Sequence, residues 1–230
     1  MIDEHQPSFV LHTRQYRETS LLVELLTQKS GRVCVLAKGV RGGKKSQSGL
    51  LQPFMPLMIS WKGKGDLPYL RSVELLSEPF RFSSSILISA IYLNELLMRV
   101  LHRHDACEYV FDLYQATLHR LSNQKHEVAL RLFEKYLLQE LGYAIPLKCA
   151  AVDRQPIVEE GCYRFSAEIG FMRAEMKDDQ GLFFAGRSLL AIARDDYSDS
   201  QVLKDAKRLM RLALSPLLGD KPIKTRELFI

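Results

Sequence analysis

The sequence has four cysteines, one tryptophan and no long uninterrupted apolar run, and each scarcity narrows what the chain can be. The cysteines, Cys34, Cys107, Cys149 and Cys162, stand far apart with no CxxC pair. That spacing gives neither the framework of a disulfide-stapled secreted domain nor a complete zinc site, which leaves buried or incidental thiols as the expectation. The most apolar helical stretch, residues 85–101, is interrupted by Asn94, Glu95 and Arg99, too polar to span a bilayer, so no membrane is expected as a partner. Residues 1–4 carry two acids where an export signal would place positive charge ahead of an apolar run. The expected location is the cytoplasm.

Catalytic patterns are missing too. His102 and His104, two residues apart near a helix end, point in different directions and make a poor chelating pair. His5, His12, His119 and His126 have no Ser, Cys or carboxylate at a recognisable catalytic spacing. No enzyme activity, cofactor or metal is expected.

What is present is an uneven charge. The chain of 230 residues is an ordinary globular mixture, 47% hydrophobic and 26% charged, with a formal net charge of +5. Between residues 29 and 73, however, stand nine bases (Lys29, Arg32, Lys38, Arg41, Lys44, Lys45, Lys62, Lys64 and Arg71) against one acid, Asp66. Residues 150–200 reverse the balance, with ten acids against six bases. A strongly basic N-terminal third attracts a polyanion and supports binding by counterion release.

The same third reads as strands, with apolar runs punctuated by Gly, Pro and Ser. Five are expected, over residues 9–16, 21–26, 32–38, 54–62 and 69–76. In the third, Val33, Val35 and Ala37 share a face, while Arg32, Cys34, Leu36 and Lys38 share the other, expected to be the charged one. In the fourth, Met55, Leu57, Ile59 and Trp61 alternate with Pro56, Met58, Ser60 and Lys62. Five short strands suggest an oligonucleotide-binding (OB) barrel. Between the third and fourth lies GVRGGKKSQS, residues 39–48, a basic glycine-rich loop. It is no phosphate-cradling P-loop, because Lys44 stands where the required glycine would be and no helix follows. Arg41, Lys44 and Lys45 are instead candidates for gripping a nucleic-acid backbone, together with Arg14, Arg17, Arg32, Lys38, Lys62, Lys64 and Arg71. Base stacking would need rings. The candidates are Tyr16, Phe54, Trp61 and Tyr69; Trp61 lies on the core stripe, and Tyr16, between Arg14 and Arg17, has the best claim to the surface.

After Pro79 the spacing turns helical, which places a domain boundary near residue 80. Helices are expected from the serine cluster at residues 83–85 to about Arg103, over 107–121, and over 127–141, the last ended by Gly142. Residues 143–186 read as irregular, with short strands at 163–165 and 171–174. A final helix capped by Asp199 or Ser200 runs to about Leu218, burying Val202, Ala206, Leu209, Met210, Ala213, Leu214 and Leu217. Lys204, Lys207, Arg208 and Arg211 on its other side, with Lys221, Lys224 and Arg226, form a candidate second basic patch. The fold class is therefore α+β: an OB-type barrel over residues 1–80, then a mainly helical domain over 81–230 with a small irregular or β insertion.

Three ordered stretches carry a resemblance. FVLHTRQYRETSLLVELLTQKSGRVCVLAKGVR at residues 9–41, followed by LQPF, YLNELLMRVL at 92–101, and LLGDKPIKTRELF at 217–229 are together similar to the RecO family of bacterial DNA repair and recombination proteins. The resemblance implies a RecF-pathway recombination mediator that binds single- and double-stranded DNA and anneals complementary strands. It also implies RecR as a partner, loading RecA onto strands coated by single-stranded DNA-binding protein (SSB), and a helical-domain site for the acidic SSB tail. Arg131 and Phe133, in ALRLFEKYLL, are the residues that resemblance offers for the tail. Many members carry a four-cysteine zinc module after the third helix; only Cys149 matches a ligand position here, so the segment is expected to fold without metal. Two rivals remain: a protein–protein adaptor with minor DNA contact, and a nuclease or nucleotide hydrolase. A steep salt dependence separates DNA binding from the first, and turnover assays from the second.

Overall fold

In a computed structural model of the chain, residues 5–41, 47–63, 65, 67–123, 126–174, 183–219 and 221–228 are described. They form two compact units, residues 1–123 together with 223–230, and residues 124–222. The change from strands to helices expected near residue 80 falls inside the first unit, because the next two helices pack with the barrel.

The first unit is built on β1 (Gln6–Tyr16), β2 (Ser20–Thr27), β3 (Gly31–Ala37), β4 (Leu57–Lys62) and β5 (Tyr69–Leu75), which close in the order β1-β2-β3-β5-β4. Every neighbouring pair is antiparallel except β3 with β5, the arrangement of an OB barrel. Alternation fills the interior with Leu21, Val23 and Leu25 from β2, Val33, Val35 and Ala37 from β3, and Leu57 and Ile59 from β4. Trp61 packs against this cluster and is partly buried, as its place on the core stripe implies.

Two irregularities in register reset which side chains face outward. In β1 the pairing with β2 shifts between Val10 and His12, so Val10 joins the interior while Phe9 packs outside against Phe111 and Tyr114. In β5 the partner of Ser60 is Ser72 but the partner of Trp61 is Leu70, which leaves Arg71 as the extra residue of a bulge. Leu70 and Val73 can then both pack on the interior, and Tyr69 turns outward.

The outer face of β3 is not the solvated, charged face its alternation suggests. Cys34 and Leu36 are buried with Leu22 in a second small cluster against which Tyr16 packs. A helix α1 (Ser84–Val100) and a helix α2 (Glu108–Asn123) complete the unit. α1 starts after Ser83, whose side chain makes no capping bond, and stops three residues short of the expected Arg103. The reason is local: the Arg32 guanidinium donates to the carbonyls of Met98 (2.6 Å) and Leu101 (2.9 Å), and the chain then runs beside β3, with His104 N–H donating to the Arg32 carbonyl at 2.9 Å. Asn94 fastens α1 to the barrel, donating to the Leu11 carbonyl at 3.0 Å while accepting from the Tyr114 hydroxyl at 2.6 Å.

The second unit contains α3 (His126–Glu140), β6 (Cys162–Ser166), β7 (Gly170–Arg173), β8 (Phe183–Ala185), α4 (Gly186–Ala193) and α5 (Ser200–Leu218). α3 ends as expected: Gly142 has φ 83°, and its N–H and that of Tyr143 donate back to the carbonyls of Gln139 and Leu138. α5 starts where expected, with Asp199 accepting from Gln201 N–H at 2.7 Å. The strands order as β7-β6-β8 around the packed rings of Phe165, Phe171 and Phe184. The third strand is an addition to the expected irregular segment, and α4 to the stretch between that segment and α5. α4 is eight residues long, starts at a glycine and has no side-chain cap, so it lacks the signals that announce a helix. No helix among the described residues is long and apolar enough to cross a membrane.

Candidate nucleic-acid interface

The register of the barrel places one residue from each strand in a single cross-strand row. Arg14 on β1 pairs with Leu22 on β2, Leu22 with Leu36 on β3, Leu36 with Tyr69 on β5, and Tyr69 with Lys62 on β4. Directly paired residues point to the same side of a sheet. Here the side is outward, since Leu21, Ala37 and Leu70, one step along, belong to the interior cluster. Arg14 and Lys62 at the ends are exposed, the two leucines between them are buried in the small cluster against which Tyr16 packs, and Tyr69 keeps 47% of its surface open. Lys38, two residues beyond Leu36, sets its ammonium 3.9 Å from the centre of the Tyr69 ring. Pro68 holds the backbone here, its carbonyl accepting from Leu36 N–H at 2.8 Å.

Next to this row, Tyr16, Arg17, Ser20, Leu36 and Lys38 line a shallow groove. Arg17 adopts a left-handed backbone, φ 53°, that makes the β1–β2 turn tight, and its guanidinium lies over the Tyr16 ring at 5.4 Å. The N–H of Arg41 donates to the Thr19 carbonyl at 3.1 Å, bringing the start of the basic loop to the same turn. Among the described residues, no carboxylate lies in ion-pair range of Arg14, Arg17, Lys38 or Lys62, so their charge is offered to solvent. Arg71 is exposed at the bulge. Lys44, Lys45 and Lys64 lie outside the described residues.

Arg32 is a different kind of base. Its Nε donates to Glu24 at 3.0 Å while its Nη1 serves the two carbonyls at the end of α1, and Arg103 pairs with the same carboxylate. Burial opposes ionisation of Glu24, but the hydrogen bonds and charges of Arg103 and Arg32 outweigh it and hold the carboxyl below its ordinary range. Arg32 is thus committed to fastening α1 onto the barrel, and a phosphate would have to compete with that. Of the rings, Phe54 is buried against Phe82, and Tyr16 is only partly exposed. The surface claim made for Tyr16 from sequence passes to Tyr69, which the Arg71 bulge turns out.

The second basic patch divides between the units. Lys204, Lys207 and Arg211 are exposed on α5, with Lys207 3.7 Å from Glu127, and Lys221 is exposed beyond it. Arg208 is held within the fold: it pairs with buried Asp205 at 3.1 Å, donates to the Phe183 carbonyl and lies 4.5 Å over the Phe184 ring. Lys224 is exposed but belongs to the first unit, and the side chain of Arg226 lies outside the described ones. In α3, Phe133 is fully buried and Arg131 nearly so, with Arg131 Nη2 donating to Glu134 at 2.9 Å and its Nε in an ion pair with the same carboxylate at 2.8 Å. Neither is presented to an incoming tail, whose carboxylate would have to displace Glu134. The sequence offered no sign of this, because an i, i+3 acid and base read equally well as a solvated pair.

No group of His, Cys, Asp or Glu that could hold a metal occurs among the described residues. Cys149 and Cys162 carry free thiols.

Fold and surface define an α+β chain headed by an OB-type barrel with a basic, ring-bearing outer face. The family model for the recombination protein O N terminal matches residues 1–79, and that for the recombination protein O C terminal matches residues 82–227. Among curated proteins, the chain is 45% identical over 223 residues to DNA repair protein RecO of Coxiella burnetii (strain RSA 493 / Nine Mile phase I), covering 97% of this chain and 96% of that one. It is 43% identical over 230 residues to DNA repair protein RecO of Yersinia pestis (strain Pestoides F), covering 99% and 95%. The chain belongs to the RecO family.

Proposed function

We infer that this chain acts in DNA repair and homologous recombination as a non-catalytic mediator that binds DNA through the outer face of its barrel. The observation that carries the reading is the row from Arg14 to Lys62 with Arg17, Lys38 and Arg41 beside it: cations with no acidic partner among the described residues, set around the exposed Tyr69 ring. Phosphates meet the cations, which gives affinity without base preference. Family membership supports, as further parts of this reading, binding of both single and double strands, annealing of complementary strands, and loading of RecA together with RecR onto SSB-coated strands. It also supports RecR and the SSB tail as the partners of this reading.

The test is fluorescence anisotropy of labelled DNA across a salt series, with wild type and with Arg14, Arg17, Lys38 and Lys62 all changed to Ala. The variant should bind more weakly, with a slope of log affinity against log salt shallower by about 0.7 per lost contact on a single strand. Absence of wild-type binding at low salt would leave the adaptor reading in its place. An unchanged slope would move the contacts to the basic loop or to α5.

A further inference from the structure

We propose that Tyr69 is a base-stacking platform that makes the barrel discriminate single-stranded from double-stranded nucleic acid. This rests on the reading of the barrel face as a DNA-binding surface and adds a residue and a selectivity to it.

A large ring on a protein surface is exposed at a cost, and two features hold this one in place. The Arg71 bulge shifts the phase of β5 so that Leu70 turns in and Tyr69 out. Lys38 sits over one face of the ring at 3.9 Å, a contact that orients it and assigns an incoming base to the opposite face. Without the bulge, strict alternation would send Tyr69 to the side of Val73, into the barrel.

The row has the chemistry of a single strand laid across the barrel. Adjacent strands of a sheet lie about 4.8 Å apart, so the four steps from Arg14 to Lys62 cover ~19 Å along the curved surface. That suits a footprint near the low end of the roughly 4–16 nucleotides that an OB barrel accepts. The terminal cations meet the sugar-phosphate backbone, and the ring between them meets an unpaired base. A duplex buries its base faces in its own stack and offers Tyr69 only backbone, so the ring adds nothing to duplex affinity while the cations serve both forms.

The experiment compares wild type, Tyr69→Ala and Tyr69→Phe on a labelled oligothymidylate and on a duplex of equal length. Unchanged melting temperatures would certify the fold, since the replaced side chain is exposed. Tyr69→Ala should weaken single-strand binding by roughly 5- to 150-fold, the equivalent of one base–aromatic stack, with the duplex changed less than about twofold. Its salt slope should match wild type, because no phosphate contact is lost, and Tyr69→Phe should retain most of the affinity. Photocrosslinking of a halogenated thymidine strand to wild type should mark the peptide containing Tyr69. Equal losses on both substrates, or none on either, would overturn the stacking role. The broader reading fails separately, on wild type that binds neither substrate.

Discussion

Thr225 and Glu95, 130 residues apart in sequence, are joined by two hydrogen bonds: the Thr225 N–H donates to the carboxylate at 2.9 Å, and so does its hydroxyl. Lys224 N–H adds a third at 2.8 Å, so one side chain on α1 caps the start of the 3-10 helix Lys224–Leu228. Burial of the adjoining Ile223 completes the docking of this segment on the first unit.

The cap has a pH signature. Burial raises the affinity of Glu95 for a proton, but the bonds from Thr225 and Lys224, helped by Arg99, outweigh it and hold the carboxyl below its ordinary value. A carboxylate lowered in the folded state contributes its full stability above the unfolded value, about 4.3, and loses it as pH falls through the lower folded one. Glu95→Gln should therefore cost about 1–2 kcal/mol in urea unfolding at neutral pH and lose less than wild type between neutral and strongly acid solution. Equal acid sensitivity of the two proteins would show that Glu95 carries no such linkage.

Glu24 holds two guanidiniums at once, from Arg32 and Arg103. Removing it by Glu24→Ala strands Arg32 in a partly buried site, and about 2 kcal/mol of stability should go with it. Neighbouring Cys34 offers a second readout. Its thiol is pushed up by burial and by the Glu24 charge, so it should label last of the four cysteines with a disulfide exchange reagent at neutral pH, and faster in the variant.

Gly31 opens β3 with φ 64°, and a Cβ added there would fall 1.9 Å from the Asp105 carbonyl oxygen. Gly31→Ala should destabilise by more than about 3 kcal/mol, since the left-handed backbone and the contact with the α1–α2 link oppose it together. Hydrogen exchange should then show the amide of His104, which donates to Arg32, among the first to lose protection.

The Arg131–Glu134 pair separates two roles by design of the variants. Glu134→Ala leaves a buried guanidinium alone and should cost about 3–5 kcal/mol, whereas Arg131→Met with Glu134→Leu should be close to neutral. If Arg131 served only to bind a tail, the single and double variants would unfold alike in the absence of any partner.

The five strands and the longer helices were legible because their patterns are local: alternation in β3 and β4, the Gly142 stop, the Asp199 cap. The outward face was legible only in part. Arg32 and Arg41 look alike in sequence, and only the fold shows that one meets Glu24 and the end of α1 while the other lies at the β1–β2 turn. Tyr69 was placed among four candidate rings but not singled out, because its direction depends on a bulge that pairs residues of two strands. Arg131 was offered for the tail by resemblance alone, and its burial beside its own i, i+3 acid leaves no trace in spacing. The cap on Lys224 was hidden for a further reason, since it joins positions that no local window spans.

The chain leaves the first unit at Asn123 and re-enters it at Ile223, which sets an order during synthesis. Residues 223–228 reach the ribosome exit only after the whole of the second unit has been made, while Glu95 on α1 waits without the donors it accepts from. A nascent chain can close its barrel early, yet it finishes the N-terminal unit only after the second unit has been made, so removal of residues 223–228 should be felt at α1 before it is felt at α5.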